Sequence, residues 1–269
     1  MDRTQGVEAL MTEKIFALAV SEGVSIIGTG PCAPMEKAPQ GYRPRDLLHG
    51  ARSMVCFGLP VPDAVYFAAS HRTETVWRSQ SLYYRRLDTL SLRMAQVLEE
   101  TGARALPLFG CFPMAVNKRG EVAGYLSMIR MGEAVGIGAI GRNGLLINSR
   151  YGSRLMLGGL LTTADLPPAR SPELPEAGCP EGCRLCIDAC PVRAISDKRG
   201  RVRIMRCLSY TARTPVMSKL WFGLLTKINP EAAARYMNPR AFDELTMHVC
   251  SRCVALCPYG GQETAPAET

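Results

Sequence analysis

Four cysteines fall within CPEGCRLCIDACP (residues 179–191), three more within CSRCVALCP (250–258), and Cys207 lies between the two runs. Thiolates at such short spacing serve as disulfide partners, zinc ligands or iron-sulfur ligands. The segment Cys183-x2-Cys186-x3-Cys190-Pro191 has the last three thiols and the proline of the bacterial ferredoxin signature, whose fourth cysteine serves the other cluster. The second run repeats that spacing as Cys250-x2-Cys253-x3-Cys257-Pro258. Structural zinc more often takes two separated pairs. Cys179, Cys183, Cys186, Cys190, Cys207, Cys250, Cys253 and Cys257 are therefore read as metal ligands, sufficient for two 4Fe-4S clusters. Zinc or a single cluster is the competing reading. Three residues separate Cys179 from Cys183 where the ferredoxin run has two, which makes Cys179 the departure from the pattern.

Disulfides are disfavoured by compartment. The start, MDRTQGVEALMTEK, lacks the apolar run of a signal peptide, and no stretch of about 18 apolar residues reads as a membrane span. A cytoplasmic location, where thiols stay reduced, is the expectation. Cys32, Cys56 and Cys111 stand singly and are read as small packing residues.

The elements that must position the cysteines are legible from periodicity. Residues 7–22 read as a helix, VSIIG (24–28), MVCFGLP (54–60) and ALPLF (105–109) as strands, and 81–102 as a helix whose stripe is Tyr83, Leu87, Leu90, Met94, Val97 and Leu98, stopped at Gly102. The four prolines of TADLPPARSPELPEAG (163–178) read as a linker. The division expected is a body over 1–162, an iron-sulfur domain over 163–260 and a disordered tail over 261–269. The fold class expected is α/β or α+β, a sheet with helical cover.

GIGAIG (136–141) is literally G-x-G-x-x-G, but a helix-like SMIRMGEAV precedes it and a strand-like RNGLLIN follows. A dinucleotide site needs the reverse order, strand then helix, so a nicotinamide cofactor is disfavoured.

With these residues in view, GIGAIGRNGLLINSRYGSRLMLGGLLTT (136–163), the first cysteine run, CLSYT (207–211) and CSRCVALCP together resemble the blocks of epoxyqueuosine reductase and, more distantly, of reductive dehalogenases. The resemblance implies a nitroreductase-like body that binds cobalamin or another corrinoid, followed by a ferredoxin-like domain with two 4Fe-4S clusters. It implies one cluster on Cys179, Cys183, Cys186 and Cys257 and the other on Cys190, Cys207, Cys250 and Cys253. It places Gly136, Gly138, Gly141, Arg142, Asn143, Tyr151 and Gly152 at the corrinoid, with arginine at 142 where the family usually has lysine. Tight packing beneath a strand is the competing reading for each of the seven. The implied activity is an iron-sulfur oxidoreductase that passes low-potential electrons to a cofactor in the body.

Two departures stand against epoxyqueuosine itself as the substrate. The family's acidic proton donor falls on Val122, which has no proton to give, leaving neighbouring Glu121 as a substitute donor. The chain also stops soon after Cys257, where the tRNA-modifying enzyme continues into a helical region. The reading is a shorter relative with another substrate.

His49, His71 and His248 do not form a D-x-H-x-x-G corrinoid motif, and His248 reads as a hydrogen-bonding neighbour of a cluster. Net charge is +8, with Arg193, Lys198, Arg199, Arg201, Arg203 and Arg206 between Cys190 and Cys207. These basic residues form either a solvated face or a dock for an acidic electron donor such as a ferredoxin or flavodoxin. Nucleic acid is disfavoured because the segment lacks interleaved aromatics. In VMSKLWFGLLTKI (216–228), Met217, Leu220, Trp221, Leu224 and Leu225 share one helical stripe, expected to cover a cluster; a partner-binding or membrane-surface helix is the alternative. The rival to a corrinoid enzyme is an electron-transfer module whose body docks a partner enzyme or holds a flavin.

Overall fold

The structure is a computed structural model that describes residues 3–110, 114–116, 122–124, 126–171, 178–213, 216–237, 247–248 and 250–259. In chain order, α1 (Arg3–Ser21) leads to β1 (Ile26–Pro31), α2 (Pro44–Leu47), β2 (Ser53–Pro60), α3 (Ala64–Phe67), α4 (Arg72–Glu99) and β3 (Ala105–Leu108). Then follow β4 (Met114–Val116), β5 (Val122–Gly124), α5 (Met128–Ala134), β6 (Ala139–Ile140), β7 (Leu146–Ile147), β8 (Leu155–Thr162) and β9 (Ala169–Arg170). The cysteine region holds α6 (Leu185–Asp188), α7 (Ile204–Thr211), β10 (Ala212–Arg213), α8 (Val216–Ile228), α9 (Pro230–Met237), β11 (Met247–His248) and α10 (Arg252–Ala255).

Five strands form one sheet in the order β3-β8-β2-β1-β9, and every neighbouring pair is antiparallel. The architecture is thus α+β. Both sheet faces are buried, which is why β2 reads as a continuous apolar run without alternation. On one face Val55, Phe57, Leu59 and Leu160 pack against Met11, Ile15 and Ala19 of α1 and Leu87, Leu90, Met94 and Leu98 of α4. On the other, Met54, Cys56 and Leu161 meet Met131 of α5, with Val135 and Ile137 of the segment after it and Leu146 of β7. Each fully buried Leu, Ile or Phe contributes about 1.5–3 kcal/mol of transfer free energy.

The stripe expected along α4 is present, with Leu87, Leu90, Met94 and Leu98 buried. The helix begins at Arg72, nine residues ahead of the expected start, because buried Val76 and Ser81 extend its inward face. A strand over 155–162 went unread because Gly158 and Gly159 interrupt its apolar run. Those glycines allow close approach of other elements: a Cβ on Gly158 would stand 2.8 Å from the Phe57 ring, and one on Gly159 3.1 Å from Met131. The stretch expected to be a linker starts inside the body, where Leu166 is 2% exposed and Ala169–Arg170 pairs with β1. No helix among the described residues is long and apolar enough to cross a membrane.

Candidate metal centre

The cysteines sit on short elements, with Cys186 on α6, Cys207 on α7 and Cys253 on α10. Cys179, Cys183, Cys186, Cys253 and Cys257 line one cleft of about 290 Å³, open mouth included, together with Asn143, Ile147, Leu185, Leu256 and Tyr259. Electrostatic coupling shows which thiols are neighbours. The Cys186 thiol is pushed up to about 11 by burial, then by Cys179 and Cys183, with a smaller push from Cys257. Cys253 is pushed up to about 12 by burial, then by Cys250, Cys207, Cys186 and Cys190. Burial and then Cys250 and Cys190 raise Cys207. The thiols therefore form two neighbourhoods, with Cys186 and Cys253 in reach of one another. Thiolates crowded this way repel unless a cation neutralises them.

Among the described residues no three His, Cys, Asp or Glu side chains converge tightly enough for a single metal ion. A cubane cluster binds its thiolates through separate irons and needs a wider set. The protein also supplies hydrogen bonds suited to cluster thiolates. The Arg142 amide donates to Cys179 Sγ at 3.3 Å and the Ala194 amide to Cys190 Sγ at 3.2 Å. The Cys250 amide donates to Thr211 Oγ1 at 3.0 Å, fixing the backbone of that ligand candidate. The donor set and its N–H groups fit iron-sulfur clusters.

The body meets this region through the glycine-rich block. In place of a strand-glycine-helix unit, β6 and β7 pair as a short antiparallel hairpin, which removes the helix N-terminus a dinucleotide would need. Only Leu146–Ile147 of the expected strand RNGLLIN is strand. Gly138 and Gly141 lie against Ile147 across the hairpin, and Gly136 against the Arg170 side chain. Gly152, at φ +58°, leaves no room for a Cβ beside the Tyr259 carbonyl and stands where a Cβ would be 3.3 Å from Cys257 Sγ. Asn143 donates through Nδ2 to the Cys253 carbonyl at 3.3 Å, and Arg142 through Nη1 to the Asp197 carbonyl at 2.9 Å. Tyr151 is half-buried, its amide 3.3 Å from Asn148 Oδ1 and its ring beneath the Arg150 guanidinium.

Several residues of the site carried no signal in the sequence reading. Asn148, fully buried, donates to the Ile137 carbonyl at 3.2 Å and accepts from the Arg150 amide at 2.9 Å, fixing the turn that delivers Gly152. Arg154 is 2% exposed and donates to the carbonyls of Tyr259 at 2.6 Å, Ala255 at 2.8 Å and Cys257 at 3.5 Å. Its Nε lies 3.0 Å from Asp63 Oδ1, an ion pair by distance though off the hydrogen-bond axis. A lone cation abutting the apolar run LMLGGLL was the one available hint to Arg154.

Other expectations fare differently. Cys32 and Cys56 are buried, and burial pushes both thiols up to about 12, as packing cysteines require. Along the stripe on α8, Leu220, Trp221 and Leu224 are 64%, 51% and 50% exposed and Leu225 is half-buried, while off it Thr226 is buried and Phe222 half-buried. Ser218, Lys219, Thr226 and Lys227 lie off the stripe, so the helix turns inward a side, at Thr226, that its apolar periodicity does not mark. Arg199 is spent on Glu133 at 3.0 Å and on the Ile140 carbonyl, whereas Arg193, Lys198, Arg201, Arg203 and Arg206 are exposed. His248 lies on β11 opposite Ala212. Val122 pairs with Val116 across a β4–β5 hairpin; Glu121 and Cys111 lie outside the described residues.

Comparison with known proteins gives this arrangement its class. Residues 179–260 match the 4Fe-4S double cluster binding domain family. Over 139 residues, 51% of this chain, it is 30% identical to epoxyqueuosine reductase of Lactococcus garvieae, and 29% identical to a tetrachloroethene reductive dehalogenase of Desulfitobacterium hafniense. The matched segments span 32% and 22% of those relatives' lengths. Among solved structures, epoxyqueuosine reductase from Streptococcus thermophilus superimposes with a TM-score of 0.59 at 19% identity, covering 96% of this chain and 68% of that one. A catabolic reductive dehalogenase solved with 3-bromo-4-hydroxybenzoic acid gives 0.54 at 17% identity, covering 82% and 34%. At these identities the superpositions establish a shared fold. The chain therefore carries a 4Fe-4S double cluster binding domain over residues 179–260 and is similar to both groups of reductases.

Proposed function

We propose that the protein is an iron-sulfur oxidoreductase in which two 4Fe-4S clusters deliver single electrons to a cofactor held by the body. The observation that carries this reading is the grouping of eight thiols into two neighbourhoods, with the β6–β7 hairpin touching Cys179 Sγ and the Cys253 carbonyl. We assign one cluster to Cys179, Cys183, Cys186 and Cys257 and the other to Cys190, Cys207, Cys250 and Cys253. The coupling of Cys186 to Cys179, Cys183 and Cys257, and of Cys253 to Cys250 and Cys207 ahead of Cys186 and Cys190, supports it. On this reading the body is nitroreductase-like and extends beyond residue 162 to take in β9, the iron-sulfur domain follows it to residue 260, and 261–269 is a tail.

The finer reading is a corrinoid enzyme. Its support is the likeness to a solved reductive dehalogenase described for B12-dependent dehalogenation, at a TM-score of 0.51. A corrinoid would supply a reducible cobalt, and the β6–β7 hairpin is the element of the body best placed to hold it. The hairpin's Arg142 amide already touches Cys179 Sγ, so a group held there is coupled to one thiol set through a single peptide. Gly138, Gly141 and Gly152 keep the hairpin and the turn after it close-packed, Asn143 ties it to Cys253, and Gly136 and Tyr151 flank it. Val122 at the family's acid position supports a substrate other than epoxyqueuosine, with Glu121 as the replacement proton donor. The exposed arginines between Cys190 and Cys207 support an acidic donor protein in a reducing compartment such as the cytoplasm.

The test is anaerobic reconstitution with iron and sulfide, then titration with cobalamin under visible spectroscopy with iron and cobalt counted. About eight irons and one cobalt with a shifted spectrum is the expected result. Eight irons without cobalt would leave the clusters and remove the corrinoid. That outcome would favour the electron-transfer alternative, whose body docks a partner enzyme or binds a flavin.

A further inference from the structure

Resting on the cluster assignment above, we infer that Arg154 is a positioning residue with a second role: its buried charge sets the reduction potential of the cluster on Cys257. The side chain leaves the sheet at the start of β8 and is 2% exposed. Its terminal nitrogens gather the carbonyls of Ala255, Cys257 and Tyr259, which are the unsatisfied end of α10 and the turn beyond it. This seats the second cysteine run on the body: α10 and α3 share a small buried cluster through Tyr66, Val254 and Ala255, and the guanidinium stands 6.0 Å from the Phe67 ring. Gly152, two residues earlier, closes on the same turn from the other side.

The charge is asymmetrically compensated. Its carboxylate partner, Asp63, is 38% exposed and therefore screened by water, while the guanidinium is enclosed. A buried cation beside Cys257 stabilises whichever cluster state carries more negative charge. Reduction adds one electron to the cluster, so Arg154 favours the reduced form and raises the potential.

The full-length chain, reconstituted anaerobically, is titrated electrochemically with mediators and followed by EPR, each cluster taking one electron. The signal of the cluster on Cys257 is identified by its perturbation in Cys257→Ser. Arg154→Met is expected to lower that cluster's potential, by about tenfold in the reduced-to-oxidised ratio at fixed potential. The other cluster should shift less. Asp63→Asn, which strips the compensating charge, shifts it the opposite way and by less, and Arg154→Lys stays closer to wild type than Arg154→Met. Loosening of the α10 seat alone would move Arg154→Met and Asp63→Asn in the same direction, and that result overturns the inference. So does an unchanged potential in both variants with eight irons bound. If Arg154→Met does not assemble, the sign of the Asp63→Asn shift still decides. A wild-type chain that binds no clusters fails the cluster assignment itself and removes the inference with it.

Discussion

Between the sheet and its helices, Phe57, Leu87, Met94 and Leu160 are completely buried, whereas beyond residue 177 the described apolar side chains that reach burial are Ala194, Ile195, Ala233 and Cys257. The first region can hold itself together by burying large side chains. The second, where Ile195 is the one large aliphatic side chain buried among the described residues, depends on something else to fill its centre, and five of the thiols line its cleft. Metal binding there is folding free energy, as in other small metal-dependent domains. The body is a scaffold that precedes the cofactor; the cysteine region is one that the cofactor completes.

The sharpest way to break this contrast is to remove the metal. Anaerobic chelation after mild oxidation should abolish amide-exchange protection over residues 178–259 and leave the sheet protected. A region that stays protected without iron would end the contrast. Next in size, Phe57→Ala should cost about 3–5 kcal/mol of body stability. Its thermal unfolding should move while the iron count holds. Gly152→Ala, strained at φ +58° and driven into the Tyr259 carbonyl, should cost about 1–3 kcal/mol. Its effect should appear as faster iron loss, measured by chelator challenge, with sheet stability unchanged. Smallest is the response of the body's own thiols. Cys32 and Cys56, raised to about 12 by burial, stabilise the fold fully below the unfolded thiol value, and that contribution is lost as pH climbs from about 9 toward 12. Both should resist a thiol reagent at pH 8 in the folded protein and react on denaturation.

The cysteine runs were readable because spacing within a run is chemistry in one dimension. The stripe of α4 and the strands β1, β2 and β3 were readable because periodicity records a buried face. What failed needs the third dimension. The antiparallel sense of the sheet leaves no mark on strands buried on both faces, and β8 was masked by Gly158 and Gly159, whose absent side chains make room for Phe57 and Met131. The α8 stripe misled because the helix buries Thr226, off the stripe, while Leu220, Trp221 and Leu224 on it stay exposed. Arg154 and Asn148 act on carbonyls more than ten residues away in sequence, which no local pattern encodes.

Among the described residues, the hydrogen bonds to Cys179 Sγ and Cys190 Sγ come from main-chain amides, those of Arg142 and Ala194. Substitution at either position, proline aside, leaves the amide in place. The environment of those two sulfurs is therefore insulated from most mutations, and position 142 can exchange arginine for lysine without disturbing its amide contact with Cys179. Drift in sequence and constancy in electronic environment are compatible at this hairpin because the contact belongs to the backbone path and not to the side chain.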